Sequence, residues 1–376
     1  MIRILIDTSI CSMGGGVQVA LSLINKIVLD PEFEIIFISS PQIHTQLTDE
    51  VTSKISYYYP EVEENIFGKF KQGKRIAAIE DKHKPDLVFI VFGPSYWRPK
   101  SKTLQGFALP LMVYPETRNK VYRNKRVTFL YQKILNAYKA KLMQKNADYV
   151  VVESETFKKR VNEFLGIDKD KIFVVENSFN SNFLTDIESI DKHENFTNIF
   201  IPTAYYPHKN LEILVDVAYE LSIISKKQFK FNFLISESSP YWLKIIELAK
   251  AKKVQNYFYT YGPVNNSEMV RLYNANDFVL LPTVAEASTA VYPEAFVSKK
   301  VLLTSKIDFA VELCGDAAIY FDPYDAKDIA EKITELDANS LRQEELILKG
   351  IKQIKLSYLT PNEKWLKQRQ LFLDLQ

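Results

Sequence analysis

Two glutamates eight positions apart, Glu286 and Glu294, bracket the small residues Ala287, Ser288, Thr289 and Ala290, followed by Val291, Tyr292 and Pro293. An apolar stretch, Phe278-Val279-Leu280-Leu281, precedes them and reads as a strand. Pro293 suits the first turn of a helix, because the N–H it lacks has no intrahelical partner there. Glu286 therefore falls in a strand-to-helix loop and Glu294 at the start of the helix. The backbone N–H groups of Ser288, Thr289, Ala290 and Val291 lie between them and suit an anion. A carboxylate for sugar hydroxyls, amides for a pyrophosphate and a second carboxylate for a ribose diol together describe a sugar-nucleotide site. Alone, the pair also fits a capped helix with two solvated carboxylates.

A second cluster is Pro207-His208-Lys209-Asn210, after a strand expected at 198–203. Asn210 reads as the N-cap of a helix over 211–221. A lysine at such a place joins a point charge to oriented N–H groups, which suits phosphate, with His208 as an accessory. The alternative is a solvated surface lysine. Gly14-Gly15-Gly16-Val17 follows the first strand and opens a helix. Gly15 and Gly16 let the backbone approach a ligand closely, although a plain glycine turn is equally open. Val19 stands where a dinucleotide fingerprint needs its third glycine, and no P-loop motif occurs. His44, His83, His193 and His208 show no metal-ligand spacing, so no metal is expected. Asp168-Lys169-Asp170 reads as a solvated turn before a strand. No catalytic Ser or Cys triad is supported, and no cofactor is implied beyond the nucleotide sugar itself.

These residues need a scaffold, and the chain alternates strand and helix patterns in two runs. Strands are expected at 2–7, 34–39, 86–92, 149–153 and 173–176, with helices at 17–29, 127–145 and 156–165. After a polar stretch to Asn195 the pattern restarts, with strands at 198–203, 230–235, 257–261, 278–282, 301–304 and 319–321. Alternation of this kind argues for parallel sheets covered by helices. A chain of 376 residues fits two domains of ordinary size. Its 47% hydrophobic and 25% charged residues are those of a soluble globular protein, and a net charge of +2 does not suggest nucleic acid. Only Cys11 and Cys314 are present, which fits a reducing compartment. No apolar run approaches a bilayer span, and residues 1–7 read as a strand, not a signal-peptide core. A cytoplasmic location is expected.

The whole pattern resembles the E-x7-E signature of retaining GT-B glycosyltransferases, specifically glycosyltransferase family 4. The resemblance is most specific over 202–330. There the Gly262 to Phe278 segment, the strand from Val301 to Ser305, Glu312, Gly315-Asp316-Ala317-Ala318 and Phe321-Asp322-Pro323 follow the family's order. It implies an α/β GT-B architecture, with two Rossmann-like domains facing a central cleft and a C-terminal helix crossing back to the N-terminal domain. The implied boundaries are 1–184 for an acceptor domain, 185–358 for a donor domain and 359–376 for the returning helix. It further implies that Lys209 binds the donor pyrophosphate, Glu286 the donor sugar and Glu294 the ribose, with Gly15 and Gly16 facing the phosphates. Sugar transfer with retention, without metal or protein nucleophile, is the implied reaction. Three departures stand out. Ala204 replaces an arginine usual five residues before the lysine, and no histidine occurs in 109–117, where Tyr114 or Glu116 is the substitute. The family's Asn-Gly-x-Asp appears as Asn177-Ser178-Phe179-Asn180.

From Arg118 to Lys145 the chain carries nine basic residues and no acidic one: Arg118, Lys120, Arg123, Lys125, Arg126, Lys133, Lys139, Lys141 and Lys145. Tyr122, Phe129, Tyr131 and Tyr138 are interleaved with them. Such a segment suits anionic lipid head groups, or alternatively forms a solvated basic face with its aromatics in the core. The partners expected are a nucleotide sugar and a glycan or polyprenyl-lipid-linked acceptor. An anionic membrane surface completes them, placing the protein peripherally on the inner face of the plasma membrane in bacterial surface polysaccharide synthesis. Two other classes share the fold pattern: a sugar-nucleotide epimerase, and a catalytically inactive nucleotide-sugar-binding partner.

Overall fold

Buried aliphatic and aromatic runs set the architecture. In Ile2–Asp7 (β1), Ile4, Leu5 and Ile6 are all fully buried, as expected of a parallel strand covered on both faces. Ile4 and Ile6 join one apolar cluster and Leu5 another, which follows from the alternation of side chains across a strand. The computed structural model describes residues 1–12, 14–60, 66–123, 126–184 and 196–376, with the backbone alone at 66–70. His193, Lys125 and the connector over 185–195 lie outside these. The boundary is expected after Leu184; the compact units divide between Glu176 and Asn177.

One compact unit comprises Met1–Glu176 and Pro361–Gln376, and the other Asn177–Thr360. The first holds a seven-stranded parallel sheet. Its strands are β1, Phe33–Ser39 (β2), Tyr57–Pro60 (β3), Leu87–Ile90 (β4), Lys102–Gly106 (β5), Tyr149–Val152 (β6) and Ile172–Val174 (β7). Their order is β3-β2-β1-β4-β5-β6-β7. The second unit holds six parallel strands: Phe196–Ile201 (β8), Gln228–Phe233 (β9), Phe258–Thr260 (β10), Phe278–Leu281 (β11), Val301–Ser305 (β12) and Ala318–Phe321 (β13). Their order is β10-β9-β8-β11-β12-β13. In both sheets the order reverses beside the first strand. Open sheets of this type bind ligands outside the carboxyl ends of their strands at that switch point.

Two strands escape the sequence pattern. In β5, Lys-Thr-Leu-Gln-Gly offers a single aliphatic side chain, yet Thr103 and Gln105 are buried. Gln105 Nε2 donates to the Asn146 carbonyl at 2.7 Å and to Ser95 Oγ at 3.1 Å, while its Oε1 accepts from Ser95 N–H at 3.1 Å. A buried amide is tolerated because its polar atoms are matched. β3 lies at the sheet edge and is half-exposed, so it lacks an apolar run. Helix Ile66–His83 was likewise not expected. Asn210 is corrected too. It adopts a left-handed conformation after a 3-10 turn at Pro207–Lys209, and its amide donates to the Pro323 carbonyl at 2.7 Å. The helix proper starts at Ile213.

Helix Arg126–Asn146 packs weakly: among the described residues it buries only Met143 and Asn146. Val127, Leu130, Tyr131, Ile134 and Tyr138 are exposed along one face, so Tyr131 and Tyr138 are not core residues. By contrast, the terminal helix Pro361–Asp374 is firmly seated in the first unit. Its Phe372 is fully buried, with ring centroids 5.0 Å from Phe89 and 6.2 Å from Phe33. Arg369 adds ion pairs to Asp30 at 2.5 Å and Glu32 at 2.6 Å. Phe372→Ala is expected to destabilise this unit by about 3–5 kcal/mol through the cavity it leaves. Chemical denaturation monitored by probes placed in each unit should show the loss in the first unit only. An unchanged first transition would mean the helix is not integral to that core.

Candidate active site

Thr283 and Val284, just past β11, reach the carbonyl of His208, just past β8. Val284 N–H donates to it at 2.8 Å and Thr283 Oγ1 at 3.1 Å. Because β8 and β11 are neighbours in the sheet, this clamp holds the two strand-end loops together. It brings Lys209 against Glu286, and the two form a short ion pair with each residue 7% exposed. Sequence reading placed these residues in separate roles, a phosphate ligand and a sugar ligand; the fold pairs them. Neither is a solvated surface charge. Charges taken this far from water require close partners, and removing one strands the other at a cost of about 3–5 kcal/mol.

His208 stands beside the pair in a half-buried position. Burial pushes its pKa down to about 4; Lys209 pushes the same way and Glu286 opposes. At neutral pH it is therefore an uncharged imidazole, able to hydrogen-bond but not to serve as a second cation. Its ring stacks on that of Tyr206, with centroids 5.5 Å apart and planes at 19°. Sequence reading passed over Tyr206, although it lies three positions before Lys209 in the same turn.

The loop from Ala287 to Ala290 is stabilised by its own polar side chains. Ser288 Oγ accepts from Asn177 Nδ2 at 3.0 Å, and Thr289 Oγ1 accepts from Val291 N–H at 3.3 Å. Asn177, the first residue of the segment that stands where the family has Asn-Gly-x-Asp, thus ties this loop to the start of the second unit. Ser288 and Ala290 remain half-buried, whereas Thr289 and Val291 are buried. Helix Val291–Val297 then starts two residues before Pro293, and Glu294 sits in its first turn. Tyr273 donates its hydroxyl to Glu294 Oε2 at 3.0 Å. Phe200 and Phe183 hold that tyrosine edge-on, at 5.1 Å and 5.4 Å. Burial raises the Glu294 carboxyl to about 7, with the Tyr273 hydrogen bond working against the shift.

Lys209, His208, Glu286, Glu294 and Ser288 to Val291 thus belong to the second unit, whereas Gly15 and Gly16 belong to the first. Gly14 takes a left-handed φ of 63° at the N-cap of helix Gly15–Ile27, and a Cβ on Gly15 would meet nothing within 4 Å. Tyr114 is fully buried, with the Arg160 guanidinium 3.7 Å from its ring centroid. Glu116 is paired with the same arginine at 3.1 Å. Asp168 caps a 3-10 turn through the Asp170 N–H, 3.1 Å away. Among the described residues no group of three or more His, Cys, Asp or Glu side chains is arranged to hold a metal.

Residues 183–353 match the sequence model of the family described as Glycosyl transferases group 1. A curated relative, the O-antigen chain mannosyltransferase RfbU of Salmonella typhimurium, is 21% identical over 209 residues. That match covers 55% of this chain and 56% of the relative, so the chain spans about half the length of the protein it matches. Among solved structures, a glycosyltransferase from Rickettsia africae superimposes with a TM-score of 0.73 at 18% identity, covering 99% of this chain and 98% of the other. Anabaena Alr3699/HepE, in complex with UDP and glucose, gives 0.73 at 13% identity with full coverage of both chains, 100% each. At such identities these structures speak for the fold. Over residues 183–353 this chain is similar to the group 1 glycosyltransferases, and its fold is that of the GT-B structures.

Proposed function

We propose that the chain is a retaining glycosyltransferase that moves a sugar from a nucleotide-sugar donor to a glycan or lipid-linked acceptor in bacterial surface polysaccharide synthesis. The observation that carries this reading is the buried Lys209–Glu286 pair at the switch point of the second sheet, with Glu294 one short loop away. The electrophile is the anomeric carbon and the leaving group a nucleoside diphosphate. Negative charge grows on that diphosphate as the glycosidic bond breaks, so Lys209 and the amides of Ser288 to Val291 stabilise the transition state more than the ground state. Glu286 orients hydroxyls of the donor sugar, and Glu294 accepts hydrogen bonds from the ribose. Displacement on the same face of the sugar, with the departing phosphate assisting deprotonation of the acceptor, needs no protein nucleophile, metal or further cofactor. UDP is the first nucleotide to test, because Anabaena Alr3699/HepE was solved with it.

The first unit's weakly packed helix supports the membrane part of the proposal. Val127, Leu130, Tyr131, Ile134 and Tyr138 are exposed, and Arg126, Lys133, Lys141 and Lys145 are exposed on the same helix. Apolar side chains flanked by bases suit the head-group region of an anionic bilayer. No helix among the described residues is long and apolar enough to cross a membrane, so the contact proposed is peripheral, on the cytoplasmic face.

Three measurements test these assignments. Purified protein incubated with a panel of sugar nucleotides should hydrolyse one donor slowly, whereas an epimerase would return an altered sugar. On that donor, Lys209→Gln should lower kcat by roughly 100-fold or more, with a smaller change in KM. The double variant Lys209→Gln, Glu286→Gln leaves no stranded charge. If it folds and retains full kcat, Lys209 is not in the site.

Glu294 supplies a pH test. Its folded pKa of about 7 lies above the ordinary glutamate value, so the proton binds more tightly in the folded protein. The stability this lends is complete below about pH 4 and is lost as pH rises to 7, a change of at most about 3 kcal/mol. Glu294→Gln cannot titrate and should narrow the stability gap between pH 5 and pH 8. UDP affinity of the unaltered protein should rise over the same interval, as the carboxylate becomes a full acceptor. Flat profiles for both would exclude Glu294 as a titrating ribose ligand.

The membrane contact should appear as co-sedimentation with vesicles containing phosphatidylglycerol, reversed by salt because exposed charges are screened. Replacing Arg126, Lys133 and Lys141 with glutamine should abolish it while sparing donor hydrolysis. Equal sedimentation with purely zwitterionic vesicles would remove the electrostatic argument.

A further inference from the structure

The candidate site carries little net positive charge for a ligand as anionic as a nucleoside diphosphate. Lys209 is compensated by Glu286, and His208 is uncharged at neutral pH. Ala204, five residues before Lys209, contributes no charge. Donors for the diphosphate must then include neutral groups that the protein does not already satisfy.

Tyr206 meets that condition. It is half-buried, and its backbone carbonyl accepts from Lys209 N–H at 2.8 Å, which fixes the turn carrying both side chains. The ring is held flat against His208. Burial, then the nearby Glu286 charge, keeps the phenol protonated well past neutral pH, so it remains a donor. Among the described residues its hydroxyl makes no hydrogen bond, in contrast to the Tyr273 hydroxyl on Glu294 and the Tyr292 hydroxyl paired with Thr304 at 2.8 Å. An oriented donor with no protein partner, close to a carboxylate already engaged by lysine, is placed to serve a ligand.

We propose that the Tyr206 hydroxyl donates a hydrogen bond to the terminal phosphate of the nucleoside diphosphate, acting as a neutral phosphate ligand beside Lys209. The assignment rests on the proposed function. Tyr206→Phe tests it, since the ring and its stack on His208 are kept and only the hydroxyl is lost. By calorimetric titration, UDP affinity should fall about tenfold, the lower part of the range for hydrogen bonds to charged groups. UMP, which lacks the terminal phosphate, should bind both proteins alike. Unchanged UDP affinity, or an equal loss for UDP and UMP, would overturn the assignment while leaving the glycosyltransferase reading intact. If the unaltered protein bound none of UDP, GDP, ADP and dTDP, the site reading itself would fall, and the role of Tyr206 with it.

Discussion

The clamp on the His208 carbonyl is the contact on which the candidate site depends. Two adjacent parallel strands end side by side, and their loops would diverge without a cross-link. Val284 N–H and Thr283 Oγ1 supply it, both converging on one backbone oxygen. Lys209 and Glu286 meet beside that oxygen, each within three residues of the clamp. A buried ion pair contributes little net stability, since the cost of desolvating both charges offsets most of their attraction. Stability alone therefore does not account for the pair. Its position at the carboxyl ends of the strands, where open α/β sheets bind ligands, does.

The groups around the pair are perturbed in a consistent way. His208 is held neutral, the Glu294 carboxyl is raised toward neutrality, and the Tyr273 phenol that serves it is raised well above its ordinary value, in each case chiefly by burial. Such shifts cluster where chemistry or binding is done, although structural networks also produce them. Here they surround a single loop and turn in a unit that matches a glycosyltransferase family, which gives the clustering its meaning.

How much of this was legible in the sequence follows from what kind of force sets each feature. The strands β1, β2, β4, β8, β11 and β12 were readable because each keeps at least three consecutive buried apolar residues, as covering on both faces requires. β5 was not, because the hydrogen bonds of Gln105 that permit its burial come from Ser95 and Asn146, distant in sequence. The spacing of Glu286 and Glu294 was visible as a loop followed by a helical turn. That Glu286 pairs with Lys209, 77 positions away, was not, since it depends on strand order. Asn210 failed for a local reason: Pro207 favours a tight turn that spends the residues expected to begin the helix. The basic segment was legible as composition, but the face it exposes required knowing that the helix packs on so little.

Charge is used in opposite ways at the two places proposed to meet ligands. At the Lys209–Glu286 site the charges are buried and mutually cancelled, and His208 adds none. A diphosphate bound there as proposed would be recognised mainly by directed hydrogen bonds from amides, hydroxyls and one lysine, so its affinity would turn on geometry more than on salt. Along Arg126–Asn146 the bases are exposed and unaccompanied by acidic residues on the same helix, so their attraction acts over roughly a Debye length and is readily screened. The first arrangement suits discrimination among small anions that differ by one phosphate. The second suits loose, reversible association with a broad charged surface, with the apolar stripe from Val127 to Tyr138 setting how deeply the helix can settle into it.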